Sequence, residues 1–249
     1  MIAALWSRLR LAYGLLAAQL VFRRLGRRAA QPVARLGSDY GGWPCHVELL
    51  PASAAAFCVG AGEDVSFDVL LNSRYGARVW CIDPTPRAVE HVRSLLEGRA
   101  IQEYELRGFD PTRFRLLSYA LWSADGSLRL YEPSDRRHVS HSAVNLQKTS
   151  AYIVVEARRL ESLLAEAGLT HLDLLKLDVE GAEYTVIEDL CRSRVRPTQL
   201  LIEFEEVNRP GSLAAPSRIA AAVHQLQRAG YALTHHDRSN FLFLRSATG

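Results

Sequence analysis

The chain reads as an α/β protein built on a mostly parallel open sheet, and three stretches carry that reading. An apolar strand at Ala54–Val59 breaks into Gly60-Ala61-Gly62 and then takes helical spacing at Phe67, Leu70, Leu71 and Tyr75. A second strand, Arg78 to Ile82, ends in Asp83-Pro84-Thr85-Pro86, where Thr85 suits a helix cap and Pro86 a first helical position. A third, LDLLKLDVEGAE from Leu172 to Glu183, is apolar enough to be buried on both faces and turns through Asp178, Glu180 and Gly181 into a helical pattern. Ligands of open parallel sheets collect beyond the carboxyl ends of the strands, so acids at those ends are candidates for chemistry.

Length and composition bound the rest. With 249 residues and 48% hydrophobic content, the chain buries one substantial core, and one large domain over 31–249 is expected after a distinct opening segment. The net charge of +3 owes much to Arg8, Arg10, Arg23, Arg24, Arg27 and Arg28, and the remainder is near neutral, which argues against a nucleic-acid groove. Cys45, Cys58, Cys81 and Cys191 show no metal-site or C-x-x-C spacing, so they read as reduced core residues in a cytoplasmic protein.

Residues 1–30 hold an apolar run from Leu11 to Phe22 between arginines. At about 12 residues this is shorter than the ~20 that a membrane span needs. Two readings stand: a basic amphipathic helix lying on the inner face of an anionic membrane, or a helix packed on the domain. Gly37 to Pro44 follows as a turn-rich surface loop with Trp43 as an apolar plug.

Further along, Phe114 to Leu121 is expected as a third strand ending at Trp122. Leu128 to Tyr131 and Tyr152 to Val155 are expected as short strands around a polar loop, Ser134 to Ser150, that carries His138 and His141. A helix with Leu160, Leu163 and Leu164 inward precedes the central strand, and Leu200 to Glu205 supplies a fifth. A last helix, with Ile219, Val223 and Leu226 buried, leads to an antiparallel hairpin of Tyr231–His235 and Phe241–Arg245.

A G-x-G turn after the first strand, with an acid closing the second, points to a ligand with an adenosine-like ribose, whose hydroxyls Asp83 would accept. Glu63-Asp64 stand where a pyrophosphate would lie, and at ~5 Å each carboxylate repels a phosphate by roughly 3 kcal/mol. S-adenosylmethionine, cationic and without phosphate, is the better fit, and a nicotinamide oxidoreductase or a non-catalytic cofactor-binding scaffold are the rivals. The expected cofactor set is Gly60, Gly62, Glu63, Asp64, Asp83, Pro84 and Trp122. At the central strand, Asp178 or His141 is the expected base, Glu180 orients the substrate, and Lys176 holds Asp178 ionised.

With these residues in hand, the chain resembles the FkbM family of S-adenosylmethionine-dependent methyltransferases from about Gly37 onward. LLKLDVEGAEYTVIEDL, Leu174 to Leu190, looks like its hallmark; FCVGAGEDVSFD, CIDPTP, HVSHS at 138–142 and YGGW at 40–43 resemble further motifs. The resemblance implies a three-layer, Rossmann-like class I methyltransferase sheet of seven strands with an antiparallel last strand. It also implies O-methylation of a sugar or natural-product hydroxyl. Many members carry an acid just before the first glycine; here Cys58-Val59 stand there, leaving Glu63 or Asp64 to substitute.

Overall fold

The computed structural model of the chain describes residues 2–27, 29–99, 104–133, 141–145, 149–210 and 212–246, without the side chains of 2–4 and 7. In order they form α1 (Ile2–Leu25), β1 (Ala34–Leu36), β2 (Trp43–Cys45), β3 (Ala55–Val59), α2 (Ser66–Tyr75), β4 (Arg78–Ile82) and α3 (Pro86–Leu96). Then come β5 (Phe114–Leu117), β6 (Ala120–Leu121), β7 (Gly126–Tyr131), β8 (Tyr152–Arg158), α4 (Leu160–Glu166), β9 (Leu174–Leu177) and α5 (Glu183–Arg192). The last are β10 (Gln199–Glu203), α6 (Glu205–Asn208), α7 (Ala215–Arg228), β11 (Tyr231–Asp237) and β12 (Asn240–Arg245).

Seven strands make one sheet in the order β11-β12-β10-β9-β3-β4-β5. β3, β4, β5, β9 and β10 run parallel, and β12 is antiparallel to both of its neighbours, as expected. All five residues of β3 and all four of β9 are buried, which is why these strands are apolar rather than alternating, with Lys176 of β9 the exception. One face packs Phe67, Leu71, Val92 and Leu95 of α2 and α3. The other packs Leu163, Val186, Ile187, Ile219 and Val223 of α4, α5 and α7, giving the three-layer α/β architecture.

Three local readings are corrected. The expected strand Phe114–Leu121 breaks after Leu117; Ala120 and Leu121 leave the main sheet and pair with β8 in a small second sheet, β6-β8-β7. The segment around Gly37 is the turn of a β1–β2 hairpin rather than a plain surface loop, while Trp43 is buried as the expected apolar plug. The strand expected to run to Glu205 ends at Glu203, because Glu205 opens the short helix α6.

Helix α1 packs on the domain. Ala17, Ala18 and Val21 are buried, and Gly14 lies so close to Val207 of α6 that a Cβ there would collide with the Val207 carbonyl. The Tyr13 hydroxyl donates to the Leu213 carbonyl and Gln227 to that of Leu25. No described helix is long and apolar enough to cross a membrane.

Candidate functional site

The glycine turn is held from three sides. Gly60 has φ +86° and donates its N–H to the Ile82 carbonyl at 3.0 Å. A Cβ on it would strike the Asp178 carbonyl, so the approach of β3 to the end of β9 requires glycine here. From behind, the buried Lys176 ammonium donates to the Gly60 carbonyl at 2.7 Å and sits 5.2 Å from the centre of the Trp43 ring.

Asp83 is the third tie. Its Oδ2 accepts from the N–H groups of Ala61 at 2.9 Å and Gly62 at 3.3 Å. Its Oδ1 accepts from the N–H and hydroxyl of Thr85 at 2.8 and 2.7 Å. A carboxylate offers about four acceptor positions, so Asp83 is engaged within the chain, locking the turn to the start of α3. Sequence reasoning places Asp83 at the right edge and misses this duty.

Glu63 and Asp64 turn out of the site. Glu63 pairs with Arg87 through both carboxylate oxygens. Asp64 accepts from the Ser38 hydroxyl at 2.5 Å and the Ser66 N–H at 2.9 Å, at the entry of α2. Burial alone would raise the Asp64 carboxyl, yet the bonds from Ser38 and Ser66 outweigh it and hold its pKa below the ordinary value. Trp122 lies one residue beyond the cavity wall, half-buried, its N–H donated to the Arg158 carbonyl.

A cavity of about 440 Å³ opens beyond the ends of β3, β4 and β9, between Gly60, Asp83, Pro84, Leu130, His141 and Asp178. His141 reaches it because the loop is stitched down: Tyr131 and Ser142 exchange backbone hydrogen bonds at 2.8 and 3.1 Å, and the Ser142 hydroxyl donates to the Glu180 carbonyl at 2.5 Å. His138, Val139 and Ser140 of the HVSHS stretch lie outside the described residues.

Asp178 is the most perturbed group of this wall. Burial, then the nearby Glu203 charge, push its pKa well above the ordinary value, with Glu180 adding and Lys176 opposing, and a hydrogen bond joins it to Glu203. The sequence reading has Lys176 hold Asp178 ionised; burial and Glu203 outweigh the ammonium, and the carboxyl is driven the other way. For Lys176, burial works against charge, but Asp68 and Asp178 overcome it and raise its pKa. Glu203, unforeseen from sequence, ends β10 and accepts from Asn208 at 2.7 Å and Ser239 at 2.9 Å. The acidic run Glu203 to Glu206 was the signal that marked it. Glu180 holds a left-handed φ of +48°, a strained conformation for a side-chain-bearing residue, of the kind concentrated at functional sites.

The cavity tests the cofactor directly. Asp83 and Asp178 place two carboxyl groups in its wall and, among the described residues, no lysine or arginine lines it. A diphosphate would meet no counter-charge there, whereas a sulfonium and an ammonium would. The apolar part, Leu121, Leu128, Leu130 and Ala143, suits a purine face. Nor does any group of described residues have a metal-holding arrangement.

Sheet order, glycine turn and the cavity beyond it are those of a Rossmann-like class I methyltransferase fold. The chain belongs to the family of the methyltransferase FkbM domain, which it matches over residues 54–233. It is similar to the 2-O-methyltransferase NoeI of Sinorhizobium fredii (strain NBRC 101917 / NGR234), with 28% identity over 144 residues, 55% of this chain and 58% of that protein. The match thus spans little more than half of that relative. Among solved structures it is similar to the precorrin-6y C5,15-methyltransferase of Geobacter metallireducens GS-15, with TM-score 0.43 and 12% identity over 80% of this chain and 82% of that one. A fibrillarin pre-rRNA processing protein of Methanococcus jannaschii gives TM-score 0.42 and 11% identity over 80% and 69%. Neither likeness is large enough to bear on activity.

Proposed function

We propose that the chain transfers the methyl group to a hydroxyl oxygen of a sugar, a glycan- or lipid-linked acceptor, or a related natural product. The observation that carries this reading is Asp178, a carboxyl of raised pKa facing the same cavity as His141 and the glycine turn. Bound S-adenosylmethionine supplies an electrophilic methyl on its sulfonium. The protein's task is to take the hydroxyl proton, and a base works best when its pKa lies near the working pH. Asp178 or His141 is that base, Glu203 receives or shares the proton through its bond to Asp178, and Glu180 orients the acceptor. The relative's name, a 2-O-methyltransferase, supports oxygen as the atom methylated.

Gly60, Gly62, Asp83 and Pro84 hold the cofactor in this reading, while Glu63, Asp64 and Trp122 shape the turn from outside the cavity. Of the four donors to Asp83, only the Thr85 hydroxyl gives way by rotating, so one ribose hydroxyl is what Asp83 can accept without loss. Residues 31–249 act as one methyltransferase unit on the cytoplasmic side, and residues 1–30 contact an anionic membrane surface.

The test uses Asp178→Asn, Glu180→Gln and His141→Ala, each checked for S-adenosylhomocysteine binding by calorimetry. Transfer of labelled methyl to a panel of glycans and glycolipids is then measured. At least one variant loses ~100-fold or more in turnover with cofactor affinity retained. Parent-like turnover in all three sinks the assignment of the base.

A further inference from the structure

Helix α1 carries two apolar faces, and the domain covers one. At 3.6 residues per turn, Leu5, Leu9, Leu16 and Leu20 fall within about 60° of one another, on the side opposite the docked Ala18 and Val21. These four leucines are 43–59% exposed, and Trp6 beside them is 61% exposed. An apolar stripe this long, left in water, needs an occupant.

Charge chooses it. Residues 1–38 contain seven arginines, Arg8, Arg10, Arg23, Arg24, Arg27, Arg28 and Arg35, and no acid. A second copy would set arginines against arginines, whereas an anionic lipid surface takes both the leucines and the guanidinium groups. The helix is not apolar enough to span the bilayer, which leaves it lying in the interface.

The position of α1 carries the argument to the site. Its middle, at Tyr13 and Gly14, rests on Leu213 and on Val207 of α6. Helix α6 begins two residues after Glu203, the partner of Asp178. Between the lipid-facing stripe and the rim of the site lie only α1 itself and the short α6, each about 10 Å across. We infer that the outer face of α1 docks on an anionic lipid surface, and that the acceptor hydroxyl belongs to an amphiphile carried in that surface. The second half of this statement rests on the methyl-transfer reading above; the first does not.

The full chain is sedimented with vesicles of phosphatidylglycerol and, separately, of phosphatidylcholine. It pellets with the anionic vesicles, and about 0.5 M salt weakens binding at least about tenfold. Trp6 emission shifts to the blue and is quenched by brominated lipid, a response that Trp6→Phe removes. The triple variant Leu9→Glu, Leu16→Glu, Leu20→Glu keeps the docked face and parent-like S-adenosylhomocysteine affinity but stays in the supernatant. Failure of the parent to pellet, equal pelleting of the variant, or a dimer in ultracentrifugation that the variant dissociates overturns the docking.

For the acceptor, the chain is incubated with methyl-labelled S-adenosylmethionine and either membranes or the soluble fraction of the source cells. Label extracted into organic solvent from the membranes is expected. Label confined to water-soluble products overturns the amphiphile. No label in either fraction overturns the methyl-transfer reading itself, while vesicle binding still stands or falls on its own result.

Discussion

Glu183→Gln isolates the cost of one buried carboxylate beside the site. Glu183 is fully buried at the start of α5, its Oε1 accepts from the Glu205 N–H at 3.1 Å, and its Oε2 has no partner among the described residues. Burial raises its pKa from 4.5 to about 7, against hydrogen bonds from backbone groups that pull the other way. Below pH 4.5 the carboxyl is protonated whether the chain is folded or not, and it contributes no pH dependence. Between 4.5 and about 7 the unfolded chain releases this proton while the folded chain keeps it, so rising pH favours unfolding. The shift of roughly 2.5 units at 1.36 kcal/mol per unit amounts to about 3 kcal/mol, fully developed above pH 7. An amide of the same shape does not ionise, so Glu183→Gln should gain about 3 kcal/mol on the parent between pH 4.5 and pH 8. Glu205, raised by burial to about 8, adds a loss of the same sign to both proteins and cancels in the difference. Urea unfolding of the two proteins across this range measures it. A stability difference that stays constant with pH would refute the argument, since it would mean that Glu183 ionises alike in both states.

Gly60→Ala forces a Cβ against the Asp178 carbonyl at a left-handed φ, so it should cost about 2 kcal/mol or more of stability, seen in urea unfolding, and lower S-adenosylhomocysteine affinity by calorimetry. Asp83→Ala leaves the N–H groups of Ala61, Gly62 and Thr85 without their acceptor; it should lose about 2–4 kcal/mol of stability even without ligand, measured by the same unfolding assay. Lys176→Met removes the cation between Asp68 and Asp178 and the donor to Gly60, so it should destabilise by about 3–5 kcal/mol, with Asp68→Asn in the same chain restoring part of the loss. An additive double variant would show that Lys176 and Asp68 do not act on each other.

Periodicity and turn chemistry made most of the fold legible. The largely apolar runs at Ala54–Val59 and Leu172–Leu177, each followed by glycine or acid and then helical spacing, hold strands buried on both faces, where a charged side chain persists only with partners, as Lys176 does. Gly60 and the acid ending β4 could be placed at one edge of the sheet because right-handed crossovers permit little else, and Asp83 indeed binds the Ala61 and Gly62 N–H groups. What resists such reading is partnership between residues far apart in the chain. Nothing local to Lys176 says that its ammonium reaches back to Gly60, nothing local to Asp178 says that Glu203 shares its hydrogen bond, and nothing in Glu63-Asp64 says that Arg87 and Ser38 claim their charges. The same holds for α1, whose apolar residues alone do not reveal which face Val207 takes and which is left to the surroundings. Local sequence governs torsions and periodicity, which short-range sterics and hydration decide; charge and packing partners depend on which strand ends the sheet order brings together, and β12 entering between β10 and β11 is a property of the assembled sheet alone.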